Sequence, residues 1–336
     1  MSLNKRIFTG GPVGLEDAFK TQLYTGSGGN GNSITGYGFA PDLIWLKDRD
    51  TTYPHYLYDS SRGALKGIRP SETEVQSTNL GVSSFDSDGF TLDSNAGANQ
   101  SGSGNCSWVW RCNGGSKGTN TDGSINSTVQ VNNDTGLSII QYSGSGNASS
   151  SVGHGLTGTP RFILAKSTNW ANNFLMYLHD GSNAYSGYID DPTQPFYKNS
   201  SNTQVGTTGD YPTSSIIRTS HIGTNNSGYD FMMWAWEPKD NYSKFGSYTG
   251  NGSNGRSLNI GFQPDFVLIR SLASNENVLM FDSARGANKA LYADSVTVEQ
   301  TYNYFSLNST GFELPQWGSS NGNGQEYIYA AWKNAT

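Results

Sequence analysis

Gly38-Phe39-Ala40-Pro41-Asp42-Leu43-Ile44-Trp45-Leu46-Lys47 returns later as Gly261-Phe262-Gln263-Pro264-Asp265-Phe266-Val267-Leu268-Ile269-Arg270. A looser copy, Gly155-Leu156 followed by Pro160-Arg161-Phe162-Ile163-Leu164-Ala165-Lys166, lies between them. Upstream of each stands a short signature: Tyr24-Thr25-Gly26, Tyr142-Ser143-Gly144 and Tyr248-Thr249-Gly250. Downstream, each copy closes on an aromatic strand: Trp108-Val109-Trp110, Trp234-Ala235-Trp236 and Ala330-Ala331-Trp332. The period of about 110 residues is too long for a solenoid unit and suits a whole module.

The runs after each Pro turn, such as Leu43-Ile44-Trp45-Leu46, are apolar at every position, which predicts strands covered on both faces. Around them the chain is poor in charge (14%) and rich in glycine (42 residues), yet aromatics reach 12%. Disordered chains are usually aromatic-poor and highly charged, so this composition points to short strands burying rings between Gly/Asn/Ser turns. Gly and Pro interrupt nearly every window of helical length. The expected fold is all-β: three tandem β-sandwich, jelly-roll-like modules.

The boundaries read as an N-terminal arm over 1–21, a first module over 22–111 and a linker over 112–126. A second module follows over 127–237 and a third over 238–336. Asn113 to Gly123 is flexible by composition, while Ser127-Thr128-Val129-Gln130-Val131-Asn132 alternates like an added strand. Val296-Thr297-Val298 alternates in the same way. Cys106 and Cys112, if on one extended strand, lie about 20 Å apart, well beyond the roughly 7 Å limit for a bridge. Free thiols are expected; a hairpin-like turn or an intermolecular bond are the alternatives.

A net charge of −6 with no Lys/Arg run leaves no electrostatic footprint for nucleic acid. No long apolar run spans a membrane, and the start lacks the apolar core of a secretory signal. Asp59-Ser60-Ser61-Arg62-Gly63 and Asp282-Ser283-Ala284-Arg285-Gly286 form the sharpest paired motif. A base and an anion clamp is one reading. The preferred one is a structural turn in which Asp59 pairs with Arg62 and Asp282 with Arg285, because catalysis is rarely duplicated in tandem and then lost in the middle copy, which carries Asp180-Gly181-Ser182-Asn183. Asp86-Ser87-Asp88-Gly89 begins like a calcium loop but lacks the distal acid, so no metal is expected. The four histidines make no triad or ligand spacing. No catalytic residue and no cofactor is predicted. Trp170, Tyr185 and Tyr188 lie in polar, loop-like sequence, where ring faces beside Asn, Asp and Ser suit a glycan; packing is the plainer alternative.

The phrases Asn120-Thr121-Asp122-Gly123-Ser124-Ile125, Val152-Gly153-His154-Gly155-Leu156 and Tyr242 to Gly252, with Gly261 to Val267, carry a resemblance. The chain resembles tandem β-modules of tail-fibre and other virion proteins of tailed bacteriophages, notably phages of marine bacteria and cyanobacteria. The resemblance implies a structural virion component, a tail fibre or tail appendage contributing to host attachment, made in the host cytoplasm. It implies a homo-oligomer, joined to other virion proteins through the N-terminal arm and meeting a host cell-surface glycan. A head decoration protein and a non-viral glycan-binding array are the alternative readings. It transfers no catalytic or binding residue.

Overall fold

The computed structural model describes residue 15 and residues 18–78, 81–199, 205, 211–219 and 221–334. The fold is all-β, built of antiparallel sheets, and the only α-helices among the described residues are the single turns Ala96–Asn99, Ile222–Asn225 and Gly318–Asn321. Of the expected arm over 1–21, residues 1–14, 16 and 17 lie outside the described residues.

One strand order recurs in the three largest sheets. In the first, Phe19–Thr25 pairs with Gly104–Trp110, which pairs with Leu43–Asp48, which pairs with Tyr56–Asp59. In the second, Leu137–Ser143, Asp230–Trp236, Phe162–Ser167 and Leu175–His179 stand in the same relation. Ser243–Thr249, Glu326–Trp332, Phe266–Ser271 and Val278–Asp282 repeat it in the third. Against the outer face of each lies a small sheet: Asn32–Thr35 with Gly89–Leu92, Ser151–Gly153 with Ile216–Arg218, and Arg256–Asn259 with Gly311–Leu314.

The doubly apolar strands divide their residues by the two-residue period of a strand. Ile44 and Leu46 face the small sheet with Phe90 and Leu92, and Val267 and Ile269 do the same with Phe312 and Leu314. Their alternates turn the other way, into one core shared by all three large sheets: Leu43 and Trp45, Phe162 and Leu164, Phe266 and Leu268. At its centre the rings of Trp110, Trp236 and Trp332 close a triangle, with centroids 5.8, 5.6 and 5.5 Å apart and planes crossing at 63–76°. Such edge-to-face contact is the favoured geometry for large rings. The repeats are therefore not separate sandwiches on a string.

Two sequence boundaries shift. The first repeat begins before residue 22: Ala18 and Phe19 are already buried in the shared core, and Lys20 and Thr21 pair with Val109 and Trp108. The segment read as a flexible linker is tied down. Asp42 accepts the backbone N–H groups of Cys112, Gly114 and Gly115 at 2.6, 3.0 and 3.1 Å. Gly118–Asn120 then pairs with Ser127–Asn132, adding a hairpin edge to the second sheet that the other two lack among the described residues. Residues 296–298 form no strand; they belong to a loop that crosses to the first repeat.

The Tyr-Thr/Ser-Gly signature has a steric cause. The phenol groups of Tyr24, Tyr142 and Tyr248 donate to Ala98 O, Thr224 O and Ser320 O on the single-turn helices. The following glycines pass so close to the chain beyond each helix that a Cβ at Gly26, Gly144 or Gly250 would sit 2.1–2.2 Å from a carbonyl oxygen. Asn99, Asn225 and Asn321 complete the lock, each accepting from one backbone N–H of the glycine loop and donating to a carbonyl within it.

Candidate functional site

The chemistry-bearing side chains concentrate where one repeat meets the next. The backbone marks these joints. Gln76 N–H donates to Thr168 O (3.0 Å), Phe196 N–H to Leu272 O (3.1 Å) and Glu299 N–H to Arg49 O (2.9 Å). First meets second, second meets third and third meets first, so the contacts close a ring.

Asp59 sits at the first joint with no exposure, at the end of its strand. It accepts Arg62 N–H at 2.8 Å and Arg62 Nε at 2.6 Å, while Arg62 Nη2 donates back to Leu57 O at 3.2 Å. Gly63, at φ +89°, turns the chain away in the left-handed region. The carboxylate has one more partner that the turn alone does not suggest. Trp234 Nε1, from the second repeat, donates to Asp59 Oδ2 at 3.2 Å, and the Arg62 guanidinium lies 5.6 Å from that indole. The third joint repeats the arrangement. Asp282 holds Arg285 at 2.5 Å, Trp108 Nε1 of the first repeat donates to Asp282 Oδ2 at 3.1 Å, and the guanidinium lies 5.4 Å from the Trp108 ring. Aligned dipole, charge and π face make each clip a three-way contact across a joint.

The second joint has lost both halves together. Strand register sets Leu43 opposite Asp59 and Phe266 opposite Asp282, but Phe162 opposite Leu178. Leu178, and not Asp180, holds the place of the clip carboxylate. On the partner side, Ala330 stands opposite Leu268 where Trp108 stands opposite Trp45 and Trp234 opposite Leu164. Leu178 and Ala330 both belong to the shared apolar core. Removing only one half would have left a buried donor or charge unpaired, which is the expensive outcome. Asp180 serves this joint otherwise, accepting Ser247 Oγ of the third repeat at 2.6 Å and Tyr185 OH at 2.9 Å. Its partial burial works to raise its pKa, but the hydrogen bonds from Ser247, Asn183, Ser182 and Tyr185 outweigh that and hold it at about 2.

Beneath the joints the three central strands each carry a fully buried cation one residue before their end: Lys47, Lys166 and Arg270. Lys166 Nζ reaches across the first joint to Glu72 O at 3.1 Å, and Arg270 Nη2 crosses the second to Gln194 O at 2.9 Å. Burial pushes Lys47 and Lys166 down to about 8. Two buried acids face the latter two. Asp190, 3.9 Å from Lys166, and Asp294, near Arg270, are both raised by burial to about 6.

Of the three rings read as a glycan platform, Tyr185 is only 1% exposed and lies in the shared core. Trp170 packs its ring on Tyr229, centroids 5.3 Å apart, beside the core under the small sheet. Tyr188 is half-buried. Trp170 and Tyr185 thus serve different cores, and no common ring face joins them. Both cysteines are buried free thiols, Cys112 donating to Gln130 O at 3.2 Å. In the turn that starts like a calcium loop, Asp88 accepts the Gly36 and Gly38 N–H groups. Among the described residues, no group of three or more His, Cys, Asp or Glu side chains is placed to hold a metal ion.

One family model, described as a domain of unknown function (DUF7483), matches residues 16–335. The chain belongs to the DUF7483 family. The match takes in all three repeats as one unit, the same extent as the closed set of joints. No curated protein and no solved structure matches the chain.

Clefts open at two of the joints: one of about 540 Å³ at the second, where Arg161 and Asp180 face Lys244 and Phe245, and one at the first. The latter, of about 460 Å³, runs between the repeats, lined by Arg62, Lys66 and Gln76 on one side and Gln141, Thr168 and Asp230 on the other. Lys117, Asn126 and Thr128 of the added hairpin region form its third wall. The sequence marked Arg62 only as a turn partner and pointed to no cleft, because the cleft exists only where two repeats and the hairpin converge.

Proposed function

We propose that the chain is a structural component of a bacteriophage particle, carried in a tail fibre or tail appendage, that helps hold the particle to its host. The observation that carries this reading is the closed interlock of the repeats. The buried Asp, Arg and Trp groups are committed to one another across joints, in the way of a rigid presenting body. Loops on rigid sheets are where recognition usually sits. The resemblance of its repeat phrases to virion proteins points the same way. In this reading residues 1–14 join the chain to other virion proteins, copies of the chain assemble as a homo-oligomer, and no chemical step is involved.

Electron microscopy of source particles with an antibody against the chain tests the reading. Label on the tail or its fibres is expected. Label on the head would replace attachment with decoration, and purified particles without label would overturn the virion reading.

A further inference from the structure

The second and third joints are each bridged by an ion pair, at different places in the two. Lys198 Nζ meets Glu326 at 2.6 Å across the second, and Arg49 meets Glu299 at 2.8 Å across the third. The three backbone bonds of the ring put Gln76 and Phe196 in the place of Glu299, and Thr168 and Leu272 in the place of Arg49, so the first and second joints have uncharged pairs there. The first joint's acid, Asp230, stands opposite Ser143 as Glu326 stands opposite Thr249. Asp230 accepts Ser143 Oγ of its own repeat at 2.6 Å and makes no ion pair among the described residues. Beside it lies the cleft of about 460 Å³.

That cleft has a definite polarity. Arg62 is neutralised by Asp59, and Lys117 Nζ is held by Ser61 O at 2.7 Å. The Lys66 side chain is exposed and makes no hydrogen bond or ion pair among the described residues, its backbone alone pairing with Thr78. Gln141 Nε2 is buried in the wall without an acceptor. Donors and positive charge therefore exceed acceptors. Against the two lysines the lining sets one carboxylate, Asp230, and most of its other polar groups are hydroxyl and amide, which can both donate and accept. Tyr142 and Phe231 line it only from beneath, at 5% and 1% exposure, so no ring face is offered for stacking a base. The volume falls within the range of small-ligand sites.

We propose that the first joint binds an acidic saccharide, a sugar bearing a carboxylate or sulfate. Lys66 and Lys117 meet the oxyanion, Gln141 Nε2 donates to a ring or hydroxyl oxygen, and Thr128 and Gln76 meet the remaining hydroxyls. The site names a ligand class for the attachment reading and rests on it for its biological setting; the binding itself is independent of where the chain sits on a particle.

Titration calorimetry of the whole chain with uronate-containing oligosaccharides, sulfated oligosaccharides, neutral oligosaccharides of equal length and inorganic sulfate tests this. At least one acidic oligosaccharide is expected to bind in roughly the millimolar range or tighter, with neutral sugars about tenfold weaker. Affinity should fall as salt rises, since the cleft is open to screening. Lys66→Glu, at an exposed and unpaired side chain, should weaken binding by about tenfold or more with an unchanged melting temperature. Gln141→Leu should weaken it as well. Inorganic sulfate binding as tightly as the oligosaccharides would overturn a saccharide site in favour of a bare anion site. Undiminished binding by the Lys66→Glu protein, or no binding by either acidic series, would overturn the site altogether. Binding by a chain missing from virions would leave the site standing and remove only its attachment setting.

Discussion

Trp234 Nε1 donates to Asp59 Oδ2 at 3.2 Å across a separation of 175 residues, and the same relationship joins Trp108 to Asp282 at 3.1 Å. Each clip holds its carboxylate and guanidinium at no more than 8% exposure, so neither charge has solvent to fall back on. The ion pair fixes the turn, and the indole fixes which sheet packs against it.

Asp59→Ala leaves Arg62 buried without its counter-ion and is expected to cost about 3–5 kcal/mol. Trp234→Phe removes a single hydrogen bond and should cost about 1 kcal/mol from that source, plus its lost packing. Because the two residues touch, a double-mutant cycle in urea unfolding should show a coupling of at least about 0.5 kcal/mol. Additive effects would mean that the clip and the indole act separately.

Gly144→Ala places a Cβ 2.2 Å from Asn226 O, so the loop or the single-turn helix must move. A loss of about 1–3 kcal/mol is expected, comparable with overpacking a core. Gly29→Ala, with nothing within 4 Å of its added Cβ, serves as the control and should change stability by less than about 1 kcal/mol. Equal melting temperatures for the two variants would remove the steric account of the signature.

Burial raises the pKa of Asp294 from an ordinary 3.8 to about 6, against the opposing effects of the Val278 N–H and Arg270. A raised carboxyl binds more protons folded than unfolded, so its favourable contribution is complete below about pH 4 and is lost as pH rises through about 6. The buried histidines, with His55 pushed well below 6.5 by burial, act in the opposite direction on acidification. Asp294→Asn isolates the acid. The melting temperature of the variant relative to wild type should rise between about pH 4.5 and about pH 7. A difference independent of pH would place Asp294 in the ordinary carboxyl range.

The strands were legible because a two-residue period and a repeated phrase both survive in the sequence. The partition of Leu43 and Ile44 between two cores was not, since an all-apolar run does not say what covers either face. The turn pairs Asp59–Arg62 and Asp282–Arg285 could be read from their spacing, but their indole partners come from other repeats. One signal was available: the copy lacking the Arg is followed by the copy lacking the first Trp, and a joint losing both halves together predicts contact. Matching Asp180 to Asp59 by sequence hid it, because strand register puts Leu178 there. Composition also misled at Asn113 to Gly123, whose glycines free backbone N–H groups to bind Asp42. Tyr185 looked exposed because its neighbours are polar, yet its strand pairs on both sides and turns the ring inward.

If the repeats share one core, they must unfold together. Differential scanning calorimetry of the whole chain and of Trp332→Ala measures this directly. One transition is expected, with calorimetric and van't Hoff enthalpies equal. Removing Trp332 from the ring triangle should lower that whole transition by about 3–5 kcal/mol while keeping it single. Two or more transitions in the wild type, or a variant in which only part of the heat absorption shifts, would contradict the shared core and return the chain to independent modules on a string.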